Sequence, residues 1–300
     1  MGNLNLFLKK CLYKILEPDL DRSSNIRFIH QKPKFGNIGD ELCSPKHYFN
    51  FKAKERINIL GGGVQDSFYI NKVQVLGLKY NQSILWGVGQ SIKYSMTPHF
   101  INKLPFAFWG LRDIDSTHQE NFLPCVSCLH PMLDLPQTDS KTLIFLNFDK
   151  KLTDKNIQTA LQEKFGHYTI LYNNCSIKEF IQHFQSCNKI ITNSFHGAYW
   201  GLLAGKRVSL IGCYSSKFYS LYKMFQLDPE TIIKVNCDNN LELLNAIEIA
   251  IKNDQWQRLA NPHKVKVQFK SINLSFVSQL RQSGLFESIE LRDRNSYRYE

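Results

Sequence analysis

In the stretch NKIITNSFHGAYWGLLAGKRVSLIG, residues 188–212, two β-branched runs flank a segment of helical length. The run ending at Thr192 reads as a buried strand. Ser194 is a residue of N-cap type, Gly205 closes the helical segment, and RVSLIG reads as the next strand. A strand, a helix and a second strand in this order make a βαβ unit, which needs a parallel sheet. The polar residues Ser194 and His196 stand at the strand-to-helix junction, where open α/β sheets bind their ligands.

The same alternation extends in both directions. Short apolar runs at 26–32, 57–60, 83–89 and 105–110 predict strands of a first sheet, and runs at 141–148, 168–173, 189–193, 207–212 and 231–236 predict a second. The segments TDKNIQTALQEKF, SIKEFIQHFQSC and FHGAYWGLLAG are long enough for crossover helices. The expected fold is therefore α/β, with two Rossmann-like parallel-sheet lobes facing a central cleft. The boundary falls at DLPQTDSK, giving a lobe over 26–138 and another over 139–260. A helical extension and polar tail follow over 261–300, and residues 1–25 read as an amphipathic helix that either packs on the body or lies on a membrane face.

A length of 300 residues suits two domains, and 43% hydrophobic content excludes a disordered chain. No apolar run is long enough to span a bilayer, and no export signal precedes the fold, so the expected location is cytoplasmic. A net charge of +11 favours anionic partners. The basic residues are dispersed and carry no nucleic-acid-binding pattern, so nucleic acid is not expected. The eight cysteines are scattered and read as reduced thiols; Cys125 and Cys128 form a lone CxxC without two further ligands at zinc-site spacing.

Four loops after predicted strands hold the candidate chemistry. KFGNIGDEL (34–42) offers Asn37 and Asp40, the latter a helix cap or a ligand-facing carboxylate. ILGGGVQDS (59–67) offers Gly61, Gly62 and Gly63, whose amides can approach an anion; it matches neither GxGxxG nor a P-loop. WGLRDIDS (109–116) presents Arg112, for bidentate anion binding or for surface ion pairing with Asp113. In the opening stretch, Ser194 and Gly197 stand where helix amides are free, beside His196. That ring is either a core histidine or, at a helix start that can hold a dianion, a group suited to acid or base work.

Taken together the four elements resemble the polysaccharide pyruvyl transferase family. They stand as Gly36-Asn37-Ile38-Gly39-Asp40, Gly61-Gly62-Gly63, Arg112-Asp113-Ile114-Asp115-Ser116 and Thr192-Asn193-Ser194-Phe195-His196-Gly197, over roughly residues 30 to 215. Members with an SRLH element carry an arginine where this chain has Ser194, and CVSCLHPMLD replaces a DP segment common in the family. The resemblance implies transfer of the three-carbon unit of phosphoenolpyruvate to two hydroxyls of a sugar, on a cell-surface glycan or its lipid-linked precursor. It also implies a two-lobed architecture of the GT-B type. His196 and Asp40 would move the protons, and Asn37, the glycine triplet, Arg112, Ser116, Asn193, Ser194 and Gly197 would bind substrate. No metal and no cofactor beyond the phosphoenolpyruvate co-substrate are expected, and the lipid-linked acceptor implies peripheral contact with the anionic inner membrane face. A two-lobed glycosyltransferase using a nucleotide-activated sugar is the alternative reading.

Overall fold

The computed structural model describes residues 20–21, 25–30, 35–63, 73, 77–138, 140–148, 152–213, 215–235 and 240–293. Most of the amphipathic segment expected over 1–25 and the tail from 294 lie outside them. Within that first segment Leu20–Asp21 is strand, not helix: it forms β1 and pairs antiparallel with β2 (Ile26–Ile29).

The fold is α/β, built on two parallel sheets. In the first, β2, β4 (Ile57–Gly61), β5 (Ser83–Val88) and β6 (Phe108–Leu111) run parallel in sequence order, with β1 at the edge. Every residue of β4 and β5 is buried, as continuous apolar runs covered on both faces require. Ile59, Ile84 and Trp86 face one core, and Leu60, Leu85 and Val88 face another. The second sheet runs β11 (Ile233–Val235), β10 (Arg207–Cys213), β9 (Cys187–Thr192), β7 (Lys141–Leu146), β8 (Thr169–Tyr172). Read from β8 this is the 2-1-3-4-5 order of a doubly wound sheet, whose direction of winding reverses between β7 and β9. The first sheet has no such reversal among its described strands, so the two sheets differ in topology.

The three crossover helices start on side-chain caps: Asp154 for α2 (Lys155–Phe165), Ser176 for α3 (Ile177–Gln185) and Ser194 for α4 (Phe195–Leu203). A shorter helix, α1 (Ile38–Leu42), follows β2 and is capped by Asn37. The helices α5 (Ser216–Met224), α6 (Asn240–Lys252) and α7 (Pro262–Gln282) complete the set among the described residues. None is long and apolar enough to cross a membrane. All nine residues of α4 are buried, which its apolar circumference demands.

The segment after residue 261 is not only helix and tail. α7 returns to the first sheet, where Asn273 Oδ1 accepts from Trp86 Nε1 at 2.9 Å and Phe276 packs edge-on to Trp86. The chain then forms β12 (Ser288–Leu291), antiparallel to β3 (Phe49–Lys52). One apolar core runs from Phe28 and Trp86 through Tyr199 and Trp200 to Phe276, so the two sheets share buried side chains.

Candidate functional site

The carboxyl ends of both sheets meet at a cavity of about 310 Å³. From the first half come Asn37 and Asp40 after β2, Gly63 after β4, Ser91 after β5 and Arg112 after β6. The second half supplies Asn147 and Phe148 after β7, Asn173 after β8, Ser194 to His196 after β9 and Lys217 after β10. The β7–β9 reversal thus lies at the cavity wall, as the rule for doubly wound sheets requires. A wider groove of about 1210 Å³ lies between α7 and the segment around Phe122, but its charged residues, Glu120 and Lys264, are exposed. Buried, converging charge marks the smaller cavity as the candidate site.

Local bonding holds the two sides together. Ile38 N donates to Asn173 O at 2.8 Å, and Ile92 and Ser216 exchange bonds of 2.9 and 3.0 Å, Ile92 N to Ser216 Oγ and Ser216 N to Ile92 O. Ser91 Oγ lies 2.9 Å from Ser215 Oγ. This latch places the start of α5, and with it Lys217, beside the cavity. Three asparagines tie the strand ends of the second sheet: Asn193 Oδ1 accepts from Asn147 N at 2.7 Å, and Asn173 Nδ2 donates to Asn147 Oδ1 at 3.0 Å.

Arg112 is 3% exposed, and its guanidinium lies 3.8 Å over the Phe195 ring. Its Nε and Nη1 are buried with no hydrogen-bond partner. Stacking of this kind contributes about 2 kcal/mol, whereas a buried ion without bonds costs several, so the stacking alone does not offset the burial. Asp40, also buried, has its carboxyl raised by desolvation, opposed by the nearby charges of His196, Arg112 and Lys217 and by the 2.9 Å bond from Asn37 Nδ2. Lys217 is half-buried; burial, then the Arg112 charge, lower its ammonium to about 8 against the pull of Asp40. Three cationic or protonatable groups therefore surround a cavity with one buried carboxyl in its lining.

The imidazole of His196 is 4% exposed and lies between α1 and α4. Its Nε2 is 2.8 Å from Cys43 Sγ, and its ring packs on Trp200. A β-carbon on Gly39 would stand 2.2 Å from Nδ1, so only glycine lets α1 close over the ring. Gly39→Ala is expected to displace the imidazole. Overpacking of this kind lowers stability by about 1–3 kcal/mol. Melting temperature measures the effect, and an unchanged value would show that α1 does not need a glycine against the ring.

Of the residues singled out from sequence, Asn37, Asp40, Gly63, Arg112, Ser194 and His196 line the cavity. Gly61, Gly62, Ser116, Asn193 and Gly197 do not. Gly61 ends β4, and Gly62 turns the chain at φ +84 against the Asp40 carbonyl. Ser116 is fully buried and gives its hydroxyl proton to Asp113 O at 2.6 Å. Asn193 is spent on Asn147, and the Gly197 amide donates to the Ser194 cap at 3.4 Å. Lys217, Ser91, Asn147, Phe148 and Asn173 were not foreseen, although each lies just beyond a strand end where the rule for open sheets directs the search. Within the CxxC it is Cys125 that finds a partner thiol from elsewhere in the chain: its Sγ is 2.8 Å from Cys43 Sγ, and these two thiols converge with His196.

No family model, no curated protein and no solved structure matches the chain.

Proposed function

We propose that this protein is a ketal pyruvyl transferase, carrying the three-carbon unit of phosphoenolpyruvate onto a sugar of a cell-surface glycan or its lipid-linked precursor. The observation that carries the reading is Arg112, buried in the cavity wall with two unpartnered donors beside Lys217 and the start of α4. A carboxylate and a phosphate on one small molecule would answer all three. The volume of about 310 Å³ defined by the described residues is at the low end for ligand pockets and suits such a molecule better than a nucleotide-activated sugar.

In this scheme one sugar hydroxyl adds to the enol carbon while a proton reaches the methylene carbon, which becomes methyl. The second hydroxyl then displaces phosphate, which leaves with the remaining proton. His196 and Asp40 are the groups placed to carry these protons, and the amides and cations hold the charge that develops. The two sheets would act as lobes of a GT-B type arrangement, a reading supported by a cavity drawn from strand ends of both. The charge of +11 is suited to an anionic donor and to a peripheral place on the cytoplasmic face of the inner membrane.

The direct test incubates the full chain with phosphoenolpyruvate and a panel of acceptor sugars, following phosphate release and acceptor mass together. A gain in acceptor mass matching a pyruvate ketal supports the reading. Stronger thermal stabilisation by nucleotide sugars than by phosphoenolpyruvate would overturn it.

The pH dependence follows from Lys217. The anion binds the protonated ammonium, and the unliganded protein loses that proton as pH rises through about 8. KM for phosphoenolpyruvate is expected to rise about tenfold between pH 7 and pH 9. Lys217→Met should raise KM at pH 7 and flatten this profile, and an unchanged slope in the variant would place the titrating group elsewhere.

A further inference from the structure

Beside the ring of His196 lie two thiols that proton transfer does not require. Cys43 caps the end of α1, Cys125 precedes the 3-10 turn Val126–Leu129, and His196 sits in the first turn of α4. They are 2%, 1% and 4% exposed. Cys43 Sγ is 2.8 Å from both Cys125 Sγ and His196 Nε2, and the three donor atoms all lie within 4.8 Å of one another. We infer that Cys43, Cys125 and His196 form a binding site for a thiophilic divalent cation of the zinc class.

The chemistry of the donors selects the ion. Two sulfurs and one imidazole are soft to borderline ligands that favour zinc over magnesium or calcium, and two thiolates with one neutral imidazole form a three-ligand set that leaves a fourth position open. A tetrahedral ion holds sulfur at about 2.3 Å and nitrogen at about 2.0–2.1 Å, so the two pairs that Cys43 Sγ makes must open by roughly 1 Å or less. A dication also cancels the charge of both thiolates, which removes the cost of burying them unpaired. The other buried thiols differ: Cys128 receives a 3.6 Å bond from Asn273 Nδ2, and Cys187 donates to Phe184 O at 3.3 Å.

The surroundings suit a held ligand set. Ser127 Oγ is 3.0 Å from Cys125 Sγ and accepts from Trp200 Nε1 at 2.9 Å, while Tyr199 OH donates to Cys125 O at 2.9 Å. Such partners orient ligands and are part of a metal site. Asp40 adds a buried carboxyl close enough for its charge and that of the His196 ring to act on each other. Binding at Nε2 leaves Nδ1, beside Gly39, as the ring's remaining nitrogen. The inference does not rest on pyruvyl transfer, because its readout needs no substrate.

The test is a cobalt titration of the full chain, stripped of metal and kept reduced under inert gas. Expected are thiolate-to-cobalt charge-transfer absorption that saturates at one ion per chain and its loss on adding one equivalent of zinc. Cys128→Ser should behave like the unaltered chain, while Cys43→Ser and Cys125→Ser should each weaken cobalt binding by at least about a hundredfold. Absence of the charge-transfer band in the unaltered chain overturns the inference, as does a band that persists in Cys43→Ser. A Cys43–Cys125 disulfide found by peptide mass mapping in the chain as isolated overturns it too and assigns the pair to redox chemistry. The titration of the unaltered chain stands even if a variant fails to fold.

Discussion

Arg112→Gln is expected to raise KM for phosphoenolpyruvate about a hundredfold and to leave the melting temperature unchanged or slightly higher. The two effects have one origin. Nε and Nη1 of Arg112 are buried without partners, so the resting protein bears the desolvation of the guanidinium and receives in return the Phe195 stacking and the field of Asp40 and Asp113. Hydrogen bonds to a charged partner contribute about 1.5–3 kcal/mol each, and losing two weak ones or one strong one gives the stated factor. Removing an incompletely bonded buried ion is often neutral or stabilising. Asp113 absorbs the change, since burial already raises its carboxyl to about 6 and the loss of Arg112 raises it further. Arg112→Lys should recover less than about tenfold, because an ammonium lacks the planar fork and does not stack on Phe195 in the same way. Steady-state phosphate release with each substrate varied in turn makes the measurement. An equal rise in the acceptor's KM would remove Arg112 from the donor site, and a loss of several kcal/mol in stability would make it a structural cation.

The parallel strands of both sheets were legible because buried parallel strands are continuous apolar runs, and nine such runs appear between residues 26 and 236; the antiparallel edge strand β1 was not. What escaped was non-local. β3 reads FNFK and β12 reads SIEL, each four residues long, and neither is a persuasive strand until it is known that Lys52 faces Ser288. The cavity shows the same division. Asp40, Arg112 and His196 sit in loops with distinctive composition, whereas Lys217 lies in YSSKFYS and has no local mark to set it apart from a surface lysine; it is brought in by the Ile92–Ser216 latch. Cys43 and Cys125 stand 82 residues apart, so spacing rules that look for neighbouring ligands cannot join them. Glycine was misread in the other direction. A triplet after a strand suggests an anion cradle, but Gly61 and Gly62 serve the turn of β4 over α1, and only Gly63 lines the cavity.

His196→Gln is expected to lower kcat about a thousandfold while keeping the fold and the stabilisation by phosphoenolpyruvate. Glutamine is the informative replacement. The ring is buried against Trp200 and Cys43, so alanine would leave a hole and confound packing with chemistry. The glutamine amide can still bond Cys43 Sγ from the same side of α1, but it cannot exchange a proton near neutral pH. Loss of one positioned acid or base costs about 10²–10⁴ in rate. Asp40→Asn should give a loss of the same order, since the amide can accept the Asn37 bond but not a proton. If the two groups carry protons within one sequence of steps, the double variant falls little below either single one, because residues acting as a unit are far from additive. Independent losses that multiply would instead assign Asp40 an electrostatic part, opposing the charge of Lys217 and Arg112. Turnover of His196→Gln within about tenfold of the parent would make the histidine a packing element between α1 and α4. The protons would then have to pass through Asp40 and Lys217, the described cavity-wall groups whose ionisation burial shifts.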